Sequence, residues 1–543
     1  MRKQWKEIIL FMLVAATVAT IVLVTPRRSE AIPAFARKYQ TSCTTCHTDF
    51  PKLNDFGKAF KDAGFKFPKD DESFIKEPPV LLGAEAQKQL WPHTVWPGQI
   101  PGLPPIGLRM NNFFQVVGKN RGNVNALVPP GEIQQFVPRT DFQTGLFSIF
   151  TAGNFGDDIA FWVDDDISIA GDNGNGGLGD GYLKFVNLGR VMHLPKDSFS
   201  LRAGQFELDL PFTQARSFNL SSYDIYDQAN IGATNPAFGQ QNVANATAFS
   251  GAGRGVEVSG GYSYGGYHYS LAVIDQNTSG SGSVDSPFVP AVNGVGYSSD
   301  ANYKDIYGRF SYRFNLERDP ESRHAIQAAG AMGPREHTYL NLGSYYFYGR
   351  SVGRVVGLDA TGNPAVLTAR QPFYRVGGDF SFNYRNFNLY GLFMYGHDHN
   401  LLPVDATGTL VPLPVDPAGP QPVGFARGTP ATFSGGFMQA DYLVLPWVMA
   451  IMRWDAVNST ADRINGLAGS PDTPFLIPFR STRNRITPGV QFLIHANIKA
   501  SFEYQFRPQQ TVTFTTPLTV TGLPVASNPF RTNTAVVGLE FVY

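Results

Sequence analysis

Cysteine is nearly absent: the 543 residues contain only two, Cys43 and Cys46. That excludes a disulfide-stapled scaffold and a four-cysteine zinc site. Charge is sparse too. Charged residues make up 16% of the chain and the formal net charge at pH 7 is zero, so nothing suggests nucleic acid as a partner. After residue 31 there is no apolar run long enough for a membrane helix. No Ser/His/Asp arrangement, phosphate loop or paired-carboxylate motif stands out, which leaves no sign of a hydrolase or transferase.

The two cysteines are spent in one place, Cys43-Thr44-Thr45-Cys46-His47. Two thiols three residues apart, followed at once by an imidazole, form the attachment signature of c-type haem. Cys43 and Cys46 would bond covalently to the haem vinyl groups, and His47 would be the proximal axial ligand. Rival chemistries lack parts. Zinc needs a second ligand pair, a Cys43–Cys46 disulfide closes a strained ring, and a thioredoxin-like motif needs a βαβ setting. Residues 1–31 read as a signal peptide: Arg2, Lys3 and Lys6 precede the run Ile8 to Val24, and Ser29-Glu30-Ala31 offers small residues for cleavage. The run of about 17 residues leaves an uncleaved anchor as the alternative. Either way the chain leaves the cytoplasm, and haem attachment of this type normally occurs outside it.

Residues 32–75 form the haem segment. Leu53, Phe56 and Phe60 fall at i, i+3 and i+7, so a short helix could lay an apolar face on the porphyrin, with Phe35 and Phe65 as further packing candidates. Plain core packing is the alternative, but a segment of about 45 residues has little core of its own. Another surface must therefore cover the haem. Residues 76–105 are a Pro-rich connector, including Glu77-Pro78-Pro79, Trp91-Pro92-His93 and Trp96-Pro97-Gly98, and read as extended chain. His93 is the first candidate for sixth haem ligand and Met110 the second.

The string from Ala31 to Phe65 carries Pro33-Ala34-Phe35-Ala36-Arg37, the Cys-x-x-Cys-His motif, Pro51, and Phe56-Gly57-Lys58-Ala59-Phe60-Lys61. It resembles the fused monohaem cytochrome–porins, whose best-known members are outer-membrane iron oxidases. The resemblance implies a single haem c in an outer-membrane barrel, with Fe(II) as electron donor.

From residue 106 to 543 the apolar period is two. Val256, Val258, Tyr262 and Tyr264 lead through Gly265-Gly266 into Tyr267, Tyr269, Leu271 and Val273, a hairpin with a tight turn. Similar hairpins turn at Arg385-Asn386 and Ala496-Asn497, while long Gly-, Pro-, Asn- and Asp-rich stretches such as 210–252, 350–372 and 508–532 separate them. Short turns alternating with long loops mark an all-β outer-membrane antiparallel barrel of about 16 strands, within 14–18, with the haem segment plugging its lumen. Strands are expected to begin near 106, 142, 158, 181, 199, 253, 267, 304, 337, 373, 387, 433, 447, 485, 498 and 533. The C-terminus alternates Ala535, Val537, Leu539, Phe541 and Tyr543, a lipid-ready face, with Val536, Gly538, Glu540 and Val542. A soluble β-sandwich is the alternative.

Two polar clusters carry weaker signals. If Val163 faces lipid, Asp164 and Asp166 face the lumen and could attract a divalent cation, while Asp165 on the lipid side demands a bulge or a strand end. His397 and His399, two apart on a strand, would point the same way as a fragmentary metal pair.

The expected function is outer-membrane electron transfer through one haem c, oxidising extracellular Fe(II) and passing the electron to a periplasmic carrier, a soluble cytochrome or copper protein. As an enzyme it would be an Fe(II):cytochrome c oxidoreductase of a Gram-negative-type bacterium. Alternatives are electron export to an extracellular acceptor, a solute porin with a haem plug, or a soluble cytochrome fused to an adhesive β-domain.

Overall fold

The computed structural model describes residues 34–49, 52–67, 71, 80–81, 89–90, 99–100, 106–117, 140–155, 158–166, 177–213, 219–229, 252–275, 304–316, 338–358, 364–398, 431–459, 482–495, 497–508, 511–517, 524–531 and 533–543. The signal segment 1–31, His93, Trp91, Trp96 and His399 lie outside the described residues.

Sixteen antiparallel strands close into one barrel. In chain order they are β1 Ile106–Val117, β2 Thr140–Phe155, β3 Ile159–Asp166, β4 Gly177–Phe185, β5 Ser200–Glu207, β6 Ala252–Gly261, β7 Gly266–Asp275 and β8 Asp305–Asn315. They continue as β9 Tyr339–Leu358, β10 Pro364–Tyr384, β11 Phe387–Asp398, β12 Ala431–Leu445, β13 Val448–Ser459, β14 Thr482–His495, β15 Ile498–Gln505 and β16 Thr534–Val542. Each strand pairs with its neighbour in sequence, and β16 closes on β1 with Phe541 opposite Met110.

The number of strands and the position of each agree with the periodicity. Two loops are shorter than their composition suggests. The 350–372 stretch is mostly ladder, because β9 and β10 stay paired from Tyr339↔Asn383 out to Leu358↔Pro364. The 508–532 stretch contains a small hairpin, Thr511–Pro517 with Pro524–Arg531.

Alternation sorts the side chains into a wet inside and an oily outside. On β16, Val537, Leu539, Phe541 and Tyr543 are exposed, whereas Val536, Glu540 and Val542 are buried in the lumen. Glu540 accepts from Arg109 Nε at 2.6 Å on β1 and pairs with Lys499 Nζ at 2.8 Å on β15, so one carboxylate ties the closing seam. The same sorting repeats on β8, with Phe310 out and Tyr307 in, and on β13, with Trp454 out and Asp455 in. Every wall strand has two paired edges, the condition for placing a sheet in lipid. The chain is an outer-membrane β-barrel.

The connections at 156–158, 262–265, 385–386, 446–447 and 496–497 all fall at one rim, together with the start of β1 and the end of β16. Short turns mark that rim as periplasmic. The long β8–β9 connection, 316–338, falls there as well and does not disturb the strand count.

Candidate functional site

Inside the periplasmic mouth sits the segment 34–67. It begins with helix α1, Ala34–Tyr39, turns through a 3-10 stretch at Cys43–Thr45, and continues into helix α2, Asp55–Asp62. Asn54 starts α2 as its N-cap: the side-chain Oδ1 accepts from Gly57 N at 2.9 Å, while Nδ2 donates to Thr45 O at 3.0 Å. The same residue's backbone N donates to Cys46 O at 2.9 Å, so the cap and the cysteine turn are one unit. Gly57 is required by that contact. A Cβ on it would stand 2.1 Å from Cys46 O, and no side chain fits.

Cys46 N donates to Cys43 O at 3.1 Å, which folds the two thiols onto one turn, and His47 follows on the short pair His47–Asp49 with Lys52–Leu53. The cysteines are not bonded to each other, and both are partly exposed. Burial raises the Cys43 thiol. Burial and the neighbouring Cys43 push Cys46 up to about 12, so both thiols stay protonated at neutral pH. Two free, reachable thiols on one turn, with a half-buried imidazole next in the chain, fit a covalently held c-type haem.

Aromatic packing joins this segment to the wall. Phe60 lies among Phe35, Tyr39, Phe65 and Phe67 at centroid distances of 5.0, 5.7, 6.4 and 6.0 Å, mostly edge-on. The cluster continues onto Ala152, Ala160 and Val186 of the barrel, and onto Trp162, 5.5 Å from Phe65. Of the aromatics that suit either a porphyrin face or plain core packing, Phe60 packs within the segment's own core and Phe65 meets the wall. Phe35 stacks on Phe65 at 5.7 Å, and Phe56 packs edge-on against Phe67 at 5.2 Å. A segment this small gains its apolar burial from the barrel.

Polar contacts clamp the opposite side. Arg313 of β8 makes a bidentate pair with Asp55, Nη1 to Oδ1 at 2.6 Å and Nη2 to Oδ2 at 2.8 Å, and its guanidinium lies 3.6 Å over the Tyr339 ring. Asp62 accepts from Ser263 N and Oγ at 3.1 and 2.7 Å in the β6–β7 turn. Lys52 reaches over Tyr390 at 5.9 Å, and Lys38 donates to Asn154 at 3.4 Å. The segment thus touches the wall from β2 round to β11.

Candidate ligands and cation sites are placed as follows. Met110 is removed from contention: it shares the outer face of the wall with Phe541, so its thioether points away from the lumen. His268 bonds Asp209 at 3.1 Å, and His193 is exposed on the β4–β5 turn. His397 lies on the outer face, stacked on Tyr374 at 5.0 Å, as part of the aromatic girdle. Asp164 faces inward and accepts from Trp162 Nε1 at 3.3 Å and from Asp180 N. Asp165 is exposed on the outside, beside a register shift between Val163 and Asp165 and one residue before β3 ends. Among the described residues no group of three or more His, Cys, Asp or Glu could hold a metal ion.

One part of the lumen was read from sequence as external loop. The described residues 208–213 and 219–229, most of them from the 210–252 stretch, turn inward, and the second run carries helix α3, Asp224–Ala229. The signal for this was present in Leu208, Leu210, Tyr223, Ile225 and Tyr226, too many large apolar groups for a solvated loop.

The chain is a porin-like barrel, and among the described residues two of its own segments lie against the inner wall. No protein-family model and no curated protein matches it. Among solved structures it is similar to OprB of Pseudomonas putida at high pH, with 10% identity, TM-score 0.44, and 81% of this chain and 94% of that chain covered. The trimer form of OmpT of Vibrio cholerae gives 8%, 0.42, 81% and 98%, and the anion-selective porin from Comamonas acidovorans gives 12%, 0.41, 81% and 98%. The hydrogen-bond register of the strands, not these likenesses, defines the fold.

Proposed function

We propose that the chain is an outer-membrane electron-transfer protein. One haem c is held by Cys43, Cys46 and His47, the donor is extracellular Fe(II), and a periplasmic soluble cytochrome or copper protein takes the electron. The observation that carries this reading is the construction of the Cys43–His47 turn: two free thiols on one turn, braced by Asn54 and Gly57, in a segment clamped into the periplasmic mouth. When bound, the haem would supply a one-electron couple. The chain's own residues contribute position. Asn54 holds the turn closed, the aromatic cluster excludes water on one side, and the Asp55–Arg313 pair fixes the segment to the wall.

The test is spectroscopic. Purified full-length protein should carry covalent haem and develop a reduced-haem absorption band on adding Fe(II). Reduction by dithionite but not by Fe(II), at the organism's working pH, would refute the iron donor. Protein lacking covalent haem altogether would refute the reading.

A further inference from the structure

We propose that the described residues 208–213 and 219–229 seal the lumen, so that this barrel carries no diffusive solute flux. Extracellular Fe(II) then stays on the outer side of the seal, and on the electron-transfer reading only its electron crosses to the haem turn. A sixteen-stranded barrel by default leaves an aqueous channel; this one is crossed by its own chain.

The crossing runs wall to wall. At its start, Asp209 O accepts from Tyr307 OH of β8 at 2.7 Å, and Phe212 lies 4.6 Å from Tyr390 of β11. In the middle, Asn219 exchanges two hydrogen bonds with Gln439 of β12, at 2.9 and 3.1 Å, and Tyr223 stacks on Phe437 at 3.8 Å. Glu503 of β15 accepts from Leu220 N at 2.6 Å and Ser221 N at 3.1 Å, while Leu220 lies against Gly538 of β16. At its end, Asp224 pairs bidentately with Arg507 at 3.0 and 3.2 Å, and its backbone N donates to Asp455 of β13 at 3.2 Å.

The kind of contact matters as much as the breadth. A loop that merely narrows an aqueous pore keeps its charged groups in water. Here Leu208, Leu210, Tyr223, Asp224, Ile225 and Tyr226 are all buried, and the wall groups Arg453, Asp455, Arg485 and Glu503 are buried with them. Charges so desolvated hold a segment in one place, because releasing it strands their partners. Trp162 packs on the apolar core around 208–229 and on the aromatic cluster of 34–67, joining the two fillings.

The experiment is conductance of the folded full-length protein in planar bilayers, beside a general sixteen-stranded porin. The wild type should show no porin-sized steps, with flux lower by about tenfold or more than that reference. Replacing 211–229 by a short Gly/Ser linker should restore steps of that size. The milder Glu503→Gln with Arg507→Ala, which keeps the chain length, should produce intermittent openings. Porin-sized steps from the wild type would overturn the proposal. So would a linker variant that keeps the heat-modifiable shift of a folded barrel yet stays silent, since the seal would then lie elsewhere. Haem absorbance of the same samples reports the electron-transfer reading separately: a conducting, haem-loaded protein sinks only the seal, and a silent, haem-free protein sinks only the haem.

Discussion

Replacing Asp55 by asparagine should loosen the 34–67 segment from the barrel without opening the barrel itself. The two side chains of the Asp55–Arg313 pair are 6% and 2% exposed, and Nη1 and Nη2 of the guanidinium both donate to the carboxylate, at 2.6 and 2.8 Å. Removing one partner of such a buried pair costs about 3–5 kcal/mol, because the other charge is left desolvated and unmatched. Some of this is offset. Arg313 keeps its position over the Tyr339 ring, worth about 0.5–2 kcal/mol, and still donates from Nε to Asn315 Oδ1 at 3.1 Å. The Lys58–Asp55 contact at 3.5 Å is also lost, but with Lys58 22% exposed it adds little. A net loss of about 2–4 kcal/mol lowers the docked-to-undocked ratio by roughly one and a half to three orders of magnitude. Hydrogen exchange and limited proteolysis of residues 34–67 read that ratio, while the heat-modifiable gel shift reports the wall. The double variant Asp55→Leu with Arg313→Met should recover much of the docking, since an apolar pair strands no charge. Unchanged protection in Asp55→Asn, or a double variant as loose as the single, would refute the clamp.

Gly57→Ala should reduce covalent haem per folded barrel, read by haem staining against the heat-modifiable band, because the new Cβ would stand 2.1 Å from Cys46 O and displace the cysteine turn. Glu540→Gln should cost about 2–4 kcal/mol by leaving Lys499 and Arg109 without their anion at the β15–β16–β1 seam, visible as a lower temperature for the gel shift. Phe393→Lys places a charge on the lipid face, where Phe393 is 57% exposed, and should cost about 2–4 kcal/mol near the bilayer midplane. Phe393→Leu should be close to neutral in the same urea unfolding series in lipid vesicles.

The wall was legible because its period matches its environment. Val537, Leu539 and Phe541 meet lipid and Glu540 meets the lumen, so each residue's polarity states its side. Asp165 was legible for the same reason: a carboxylate on the oily face implied the irregularity found between Val163 and Asp165. Met110 was misjudged as a ligand candidate because a thioether is apolar enough to suit either face, and only its pairing with Phe541 turns it outward. For Phe60 and Phe65 the apolar spacing says that a face is buried, not whether porphyrin or the segment's own core buries it.

By itself, the sequence determined a barrel of about sixteen strands, the face of most wall residues and the outer-membrane setting, and it supplied the Cys43-x-x-Cys46-His47 motif on which the functional proposal rests. All of these depend on local pattern, which neighbours in the chain impose on one another. Only the tertiary structure decided what fills the barrel. Asp55 meets Arg313 across 258 positions and Asp224 meets Arg507 across 283. Pairings at such separation leave no periodic trace, because any buried carboxylate would accept any buried arginine that the closed wall happened to bring within reach.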